Sequence, residues 1–220
     1  MKNKNIKAQY LLASILCFGM SNSFALEDSD LQYNSLSMGY SSTSVGGYSQ
    51  KVNQVSVAGT YLLNDNIYLG GGLSSATFSP PKVTQVNFAG VDILVGLRIG
   101  ISRTTDITLS ADYSSTDITE AGYIGVTQNG VSANVGIRSL VSPSVELGTG
   151  VSFTNYQNET TNSSVVLTSG NATQFSAGLK YFISKEFAVR GAYSYTSSNS
   201  SVGTTYTSNS VGIVAQYYFQ

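Results

Sequence analysis

The chain of 220 residues contains no histidine, which excludes Ser-His-Asp and Cys-His catalysis, histidine acid/base chemistry and every histidine-containing metal site. Only 10% of its residues are charged, its formal net charge is −1, and no basic patch of the kind nucleic-acid binding demands is present, so nucleic acid is discarded as a partner. The single cysteine, Cys17, falls in an amino-terminal segment that reads as removed on export, so the remainder must be stable without disulfides.

That segment, residues 1–25, has the layout of a signal peptide. Lys2, Lys4 and Lys7 form a basic region, Leu11 to Phe18 an apolar one, and Ser23-Phe24-Ala25 a small-x-small cleavage site, which makes Leu26 the expected mature start. Taking those three lysines from the 11 Lys and Arg leaves 8 against 12 Asp and Glu. Beyond Ala25 no stretch approaches the roughly 18 consecutive apolar residues of a membrane helix, which excludes a helical membrane protein but not membrane-crossing strands. Residues 26–34, with Glu27, Asp28 and Asp30, read as a short acidic lead-in, unstructured or loosely attached.

From residue 35 on, apolar and polar residues alternate with the period of two expected of strands that face two environments. The first strand carries Leu36, Met38 and Tyr40 on its apolar side, and Ser44 to Gly47 turn the chain. The second carries Val55, Val57, Gly59, Tyr61 and Leu63 and ends at Asn64-Asp65-Asn66, a turn composition. The third shows Ile67, Leu69, Gly71 and Leu73 before Ser79-Pro80-Pro81; the fourth sets Val91, Ile93, Val95, Leu97 and Ile99 against Asp92, Leu94, Gly96, Arg98 and Gly100. The fifth opposes Ile107, Leu109, Ala111 and Tyr113 to Thr108, Ser110, Asp112 and Ser114, and a polar connection, Ser115 to Ala121, follows. The sixth carries Val131, Ala133, Val135 and Ile137, but above Gln128-Asn129-Gly130 its apolar positions move to Ile124 and Val126, which suggests a bulge or a strand that starts later. The seventh has Val145, Leu147, Val151 and Phe153 and leads into a polar loop from Gln157 to Ser164. Ala172 to Tyr195 hold the eighth and ninth strands, with Phe175, Ala177, Leu179 and Tyr181, then Phe187, Val189, Gly191 and Tyr193, on one face. Thr196 to Thr204 form the last loop, and Val211, Ile213, Ala215, Tyr217 and Phe219 mark the tenth strand.

Ten strands, or eight if the first pair is irregular, with tight turns at one end and longer loops at the other, predict an all-β fold. It is an antiparallel up-and-down transmembrane β-barrel over residues 35–220, with its termini in the periplasm. Three features turn the apolar face outward toward lipid. The apolar stripes carry no charge; the opposite face is rich in Gly, Ser, Thr and Ala, whereas a soluble surface carries roughly 25–35% charged residues. Aromatics gather at the ends of the stripes, where Tyr61, Tyr113, Tyr181, Phe187, Tyr193, Tyr195, Tyr217 and Phe219 read as an interfacial girdle.

The terminal alternation, Val211, Ile213, Ala215, Tyr217, Phe219, resembles the carboxy-terminal aromatic pattern by which the barrel-assembly machinery recognises outer-membrane barrels, although the chain ends on Gln220. The whole mature chain is similar to the small OmpA-like and opacity-protein-like barrel families. The resemblance implies a bacterial outer-membrane location among lipids and lipopolysaccharide, and says little about activity. It also implies no enzyme, because outer-membrane proteases, acyltransferases and phospholipases use a histidine that is absent here.

Ten tilted strands enclose a barrel roughly 20 Å across, which ordinary side chains nearly fill. The lumen-side glycines leave a narrow watery path or make room for Tyr68, Tyr218 and long charged side chains. Asp92, Arg98, Asp112, Arg138, Glu146, Lys180, Glu186 and Arg190 fall on the lumen face, and mixed signs on neighbouring strands predict an ion-pair network plugging the periplasmic half. The alternative is a selectivity ring in a conducting lumen. Asp92 with Asp112 reads as a set of ion-pair partners rather than a catalytic acid pair. The expected function is therefore structural or surface-interacting, exerted through short Ser/Thr/Asn-rich loops by a monomer without cofactor or metal. A narrow passive channel for small solutes is the alternative, and any surface ligand is unidentified.

Overall fold

A computed structural model of the chain describes residues 31–47, 50–79, 85–120, 125–161 and 165–219. Residues 1–25, expected to be an export segment and containing Cys17, lie outside the described residues, as do most of the acidic lead-in and Gln220. Ten strands form: β1 (Ser35–Val45), β2 (Lys51–Leu62), β3 (Ile67–Phe78), β4 (Val86–Ser102), β5 (Thr105–Glu120), β6 (Val126–Ser142), β7 (Val145–Thr160), β8 (Val166–Phe182), β9 (Phe187–Ser200) and β10 (Thr205–Tyr218). Each pairs antiparallel with its sequence neighbours, and β10 pairs with β1 to close the barrel. The eight-strand alternative falls away, because β1 and β2 are in continuous register from Ser35↔Thr60 to Ser44↔Lys51.

The turns at one end are tight because the sequence supplies their hydrogen bonds. After β2, Asn64 Oδ1 accepts from the amides of Asn66 and Ile67 at 3.0 and 2.9 Å. After β8, Ser184 Oγ does the same for Glu186 and Phe187 at 3.2 and 3.1 Å. Bulges at Gly100/Ser102 and Leu140/Ser142 carry the other two turns.

On the outer face of β4, Val91, Ile93, Val95, Leu97, Ile99 and Ile101 are all about half exposed or more. The burial of such a row in water would be favourable, so its outward display needs a hydrocarbon solvent. Val91 to Ile101 spans roughly 33 Å along the strand, or about 25 Å vertically at a tilt of about 40°, the height of a barrel's lipid-facing band.

The strands do not stop there. At 14 to 17 residues, β4 to β10 are longer than the roughly 9–11 a bilayer crossing needs. The residues expected to be loops are largely strand: β5 takes in Ser115 to Glu120, β7 runs to Thr160, and β9 runs to Ser200 with β10 resuming at Thr205. The barrel wall therefore rises past the lipid band as a collar whose outer positions, such as Asn155 and Gln157, are exposed polar residues.

Within the collar the inner face turns partly apolar, although Gln128, Asn158 and Glu120 on that face are buried as well. Val45, Val52, Ala76, Phe78, Val86, Phe88, Ile118 and Val126 point inward and form a buried apolar cluster, with Leu167 and Tyr206 packed against it. Outside stand Lys51, Asn53, Asn87, Asp117 and Thr127. The physical reason is the change of solvent: below, lipid is outside and polar contacts are inside; above, water is outside and the interior takes the apolar side chains. This also corrects the reading of β6. Its register with β5 is regular from Ile118↔Val126 to Thr105↔Ser139, so the shift of apolar positions at Val126 is neither a bulge nor a late start.

Candidate functional site

The lumen is the site to build, since its contents decide whether anything passes. Lumen-facing positions of β4 to β8 bring Arg98, Asp106, Arg138, Glu146 and Lys180 into the tight-turn half, all of them buried. Glu146 is the hub. Arg138 donates to it through two nitrogens, Nε to Oε1 at 2.8 Å and Nη2 to Oε2 at 2.6 Å, and Lys180 Nζ lies 3.1 Å from Oε1. The paired guanidinium and carboxylate are held flat against each other, the strongest neutralised geometry a side-chain pair offers. Arg190 lines the same small space as these three.

Tyr33 closes this half from below, and the sequence reading missed it. The described end of the lead-in, residues 31–34, enters the lumen rather than hanging loosely: Leu31 and Tyr33 are 2% and 4% exposed. The guanidinium carbons of Arg98 and Arg138 lie 5.6 and 5.3 Å from the Tyr33 ring centroid, and the ring tilts against that of Tyr68 at 5.7 Å. The Tyr33 hydroxyl donates to Asp106 Oδ2 at 3.4 Å. Three bonds fix the backbone: Thr60 Oγ1 donates to the Tyr33 carbonyl, the Leu62 amide to Asn34 Oδ1, and the Phe219 amide to the Asn34 carbonyl. The available signal was phase, since Leu31 and Tyr33 fall on the same alternation as lumen-facing Ser35.

The glycines of the lumen wall serve these large side chains. A Cβ on Gly96 would overlap the Tyr68 ring, and one on Gly178 would stand 2.7 Å from Arg190 Nε. Of the two uses foreseen for such glycines, making room for bulky side chains is the one found at these positions.

Not every expected member joins the network. Glu186 lies exposed in the β8–β9 turn, where it accepts from Ser184 Oγ at 3.0 Å, because it is the last turn residue before β9 begins at Phe187. Asp92 and Asp112 sit higher. Asp92 is six residues from Arg98 along β4, roughly 20 Å of extended chain, too far for an ion pair. Asp112 accepts from Asn134 Nδ2 at 2.6 Å, so its partner is an amide rather than a cation. The eight expected girdle residues are all on the outer face, 37–55% exposed; Phe187 and Tyr217 touch across β9 and β10 with ring centroids 5.1 Å apart.

Between the two closures, two small cavities lie among the described residues. One cavity of about 70 Å³ lies among Gln54, Gln174, Ser176 and Arg190, and another of about 10 Å³ lies beside the Glu146 hub. Above them hydroxyl and amide side chains bridge strands: Ser132 and Thr154 at 2.7 Å, Gln128 to Asn158 at 2.9 Å, Asn158 to Thr168 at 2.8 Å. Above these comes the apolar cluster of the collar. Among the described residues there is no group of three or more Cys, Asp or Glu placed to hold a metal.

Comparison with known proteins matches residues 65–219 to the family described as outer membrane protein beta-barrel domain. The match is to that general domain rather than to the narrower OmpA-like or opacity-protein-like families. No curated protein matches the chain. Among solved structures, an outer membrane channel from Pseudomonas putida F1 shares 9% identity over 91% of this chain and 98% of its own, with a TM-score of 0.49. The NanC porin shares 8% over 83% and 100%, with a TM-score of 0.47. The translocator domain of the autotransporter NalP from Neisseria meningitidis shares 12% over 98% and 95%, with a TM-score of 0.44.

Proposed function

Because the chain belongs to the outer membrane beta-barrel domain family, we propose that it is a non-conducting, non-enzymatic barrel that strengthens the outer membrane and presents a rigid polar collar to the outside. The observation that carries this reading is closure at both ends of the lumen: Tyr33 packed against Arg98 and Arg138 below, the Phe78 and Phe88 cluster above, and only small cavities beside the Glu146 hub and Gln174 among the described residues. Ion pairs between the neighbouring strands β6, β7 and β8, and apolar packing within the lumen, stiffen the barrel. The collar, with strands in place of long loops, supports a surface role of firm shape. In this reading the barrel is a monomer, sits among lipopolysaccharide and phospholipid, and is delivered by the assembly machinery through β10.

A second reading, a narrow passive channel for small solutes, draws on one observation. The lower closure is made by residues 31–34, a non-strand segment held by a handful of hydrogen bonds, and the wall behind it is polar. Deleting the gene in its host separates the two by sign. The proposed role predicts greater leakage of bulky antibiotics and hydrophobic dyes into the deletion strain. Slower uptake of small hydrophilic solutes with an intact barrier would overturn it in favour of the channel.

A further inference from the structure

A groove of about 670 Å³ runs across the outer wall of the collar, over β5 to β9, away from the lumen. It is built from two neighbouring rows of outward residues. The lower row is in direct register, Tyr113↔Val131↔Asn155↔Asn171↔Asn199, and the upper contains Asn129↔Gln157↔Ser169. The lower row begins at Tyr113, at the top of the lipid band, and climbs obliquely into water because the strands are tilted. The β7–β8 ladder breaks register at Asn158/Glu159, and the extra residue, Leu167, packs inward on the apolar cluster. A bulge bends and twists its strand locally, and this one lies in the β7–β8 hairpin that lines the groove.

The lining is uncharged throughout. Asn155, Gln157, Asn171 and Asn199 are exposed carboxamides, each offering one acceptor and two donor hydrogens. At both ends the amide is already oriented: Tyr113 Oη donates to Asn129 Oδ1 at 3.0 Å, and Thr205 Oγ1 donates to Asn199 Oδ1 at 2.7 Å. Both asparagines therefore turn their N–H₂ groups away from these bonds. Asn155, Asn171 and Asn199 repeat at the strand spacing of about 4.8 Å, close to the width of a pyranose ring. Vicinal hydroxyls, each donor and acceptor at once, fit such a row, and the half-exposed Tyr113 ring offers an apolar face to sugar C–H groups. Anionic groups find no cation here, and Asp117 and Glu159 stand on the same outer face of β5 and β7.

We propose that this groove binds an uncharged carbohydrate chain, either the neutral sugars of a glycolipid in the same leaflet or a soluble oligosaccharide. The proposal rests on the surface-interaction reading and gives that reading a ligand class. Lumen conductance is a separate measurement, so the two can fail independently.

The test uses mature protein refolded in phosphatidylcholine vesicles, with the heat-dependent gel shift of a folded barrel as the control. Fluorescent neutral oligosaccharides (maltoheptaose and a mannose tetramer) and purified lipopolysaccharide with a neutral hexose core are titrated separately. The variants are Asn155→Ala/Asn171→Ala and the charge-adding Asn171→Asp, all at exposed positions. Losing the hydrogen bonds of two amides should weaken binding by about tenfold or more in the double variant, and exchanging one amide for a carboxylate should weaken it in Asn171→Asp. Saturable binding of an oligosaccharide assigns a soluble ligand; saturable binding of lipopolysaccharide alone assigns the glycolipid. Binding that is unchanged in the variants, or absent with every probe, overturns the proposal.

Discussion

Replacing Arg138 with alanine removes two hydrogen bonds, of 2.8 and 2.6 Å, from a carboxylate that is 4% exposed. Breaking a buried pair by deleting one partner costs about 3–5 kcal/mol, because the other charge stays buried. Here Lys180 Nζ remains 3.1 Å from Glu146 and offsets part of that loss, which brings the expected destabilisation to about 2–4 kcal/mol. Glu146→Ala should cost at least as much, since it strips a partner from both cations. The double variant should be less destabilised than the sum of the singles, with a coupling of about 1–3 kcal/mol. Urea titration in lipid vesicles, followed by far-ultraviolet circular dichroism and the gel shift, measures all three. Additivity within about 0.5 kcal/mol would refute the idea that these residues form one structural unit.

Other perturbations test other parts of the wall. Gly96→Ala should destabilise by about 1–3 kcal/mol in the same titration, since its Cβ would force the fully buried Tyr68 ring to move. Gly191→Ala, whose Cβ meets nothing within 4 Å, should be neutral or stabilising by up to about 1 kcal/mol. Phe78→Ala, in the collar's apolar cluster, should cost about 3–5 kcal/mol, a loss an empty channel mouth would not show. Ile93→Arg, in the lipid band, should cost about 2–4 kcal/mol, whereas Asn87→Arg, three turns of the pleat higher on the same face of β4, should cost less than about 1 kcal/mol. Equal costs at the two sites would misplace the upper membrane boundary.

The barrel was legible because its strands alternate strictly wherever lipid lies on one side, as along Val91 to Ile99. Legibility failed where the solvent changed. Above the lipid band the period of two continues, but Val126, Ile118 and Phe88 occupy the phase that is polar lower down, and a rule keyed to one phase reads them as bulge or loop. The hub of the charge cluster was visible as mixed signs on β6, β7 and β8, since neighbouring strands place lumen residues within reach. Its upper limit was not, because alternation gives the face of Asp92 and Asp112 but not their height relative to Arg98. Tyr33 escaped because acidic residues around it suggested a solvated tail, and its contacts with Arg98 and Arg138 come from strands far away in sequence. The collar groove depends on register across five strands, which no single strand records.

Single-channel recording of the mature protein in planar bilayers tests the filled lumen most directly, with Tyr33→Ala recorded alongside. The account predicts silence from the correctly folded wild type and, at most, brief small openings once the lower closure is removed. Discrete wild-type steps proportional to salt, altered in size by substitution of Arg138 or Glu146, would contradict it and make those charges the lining of a pore.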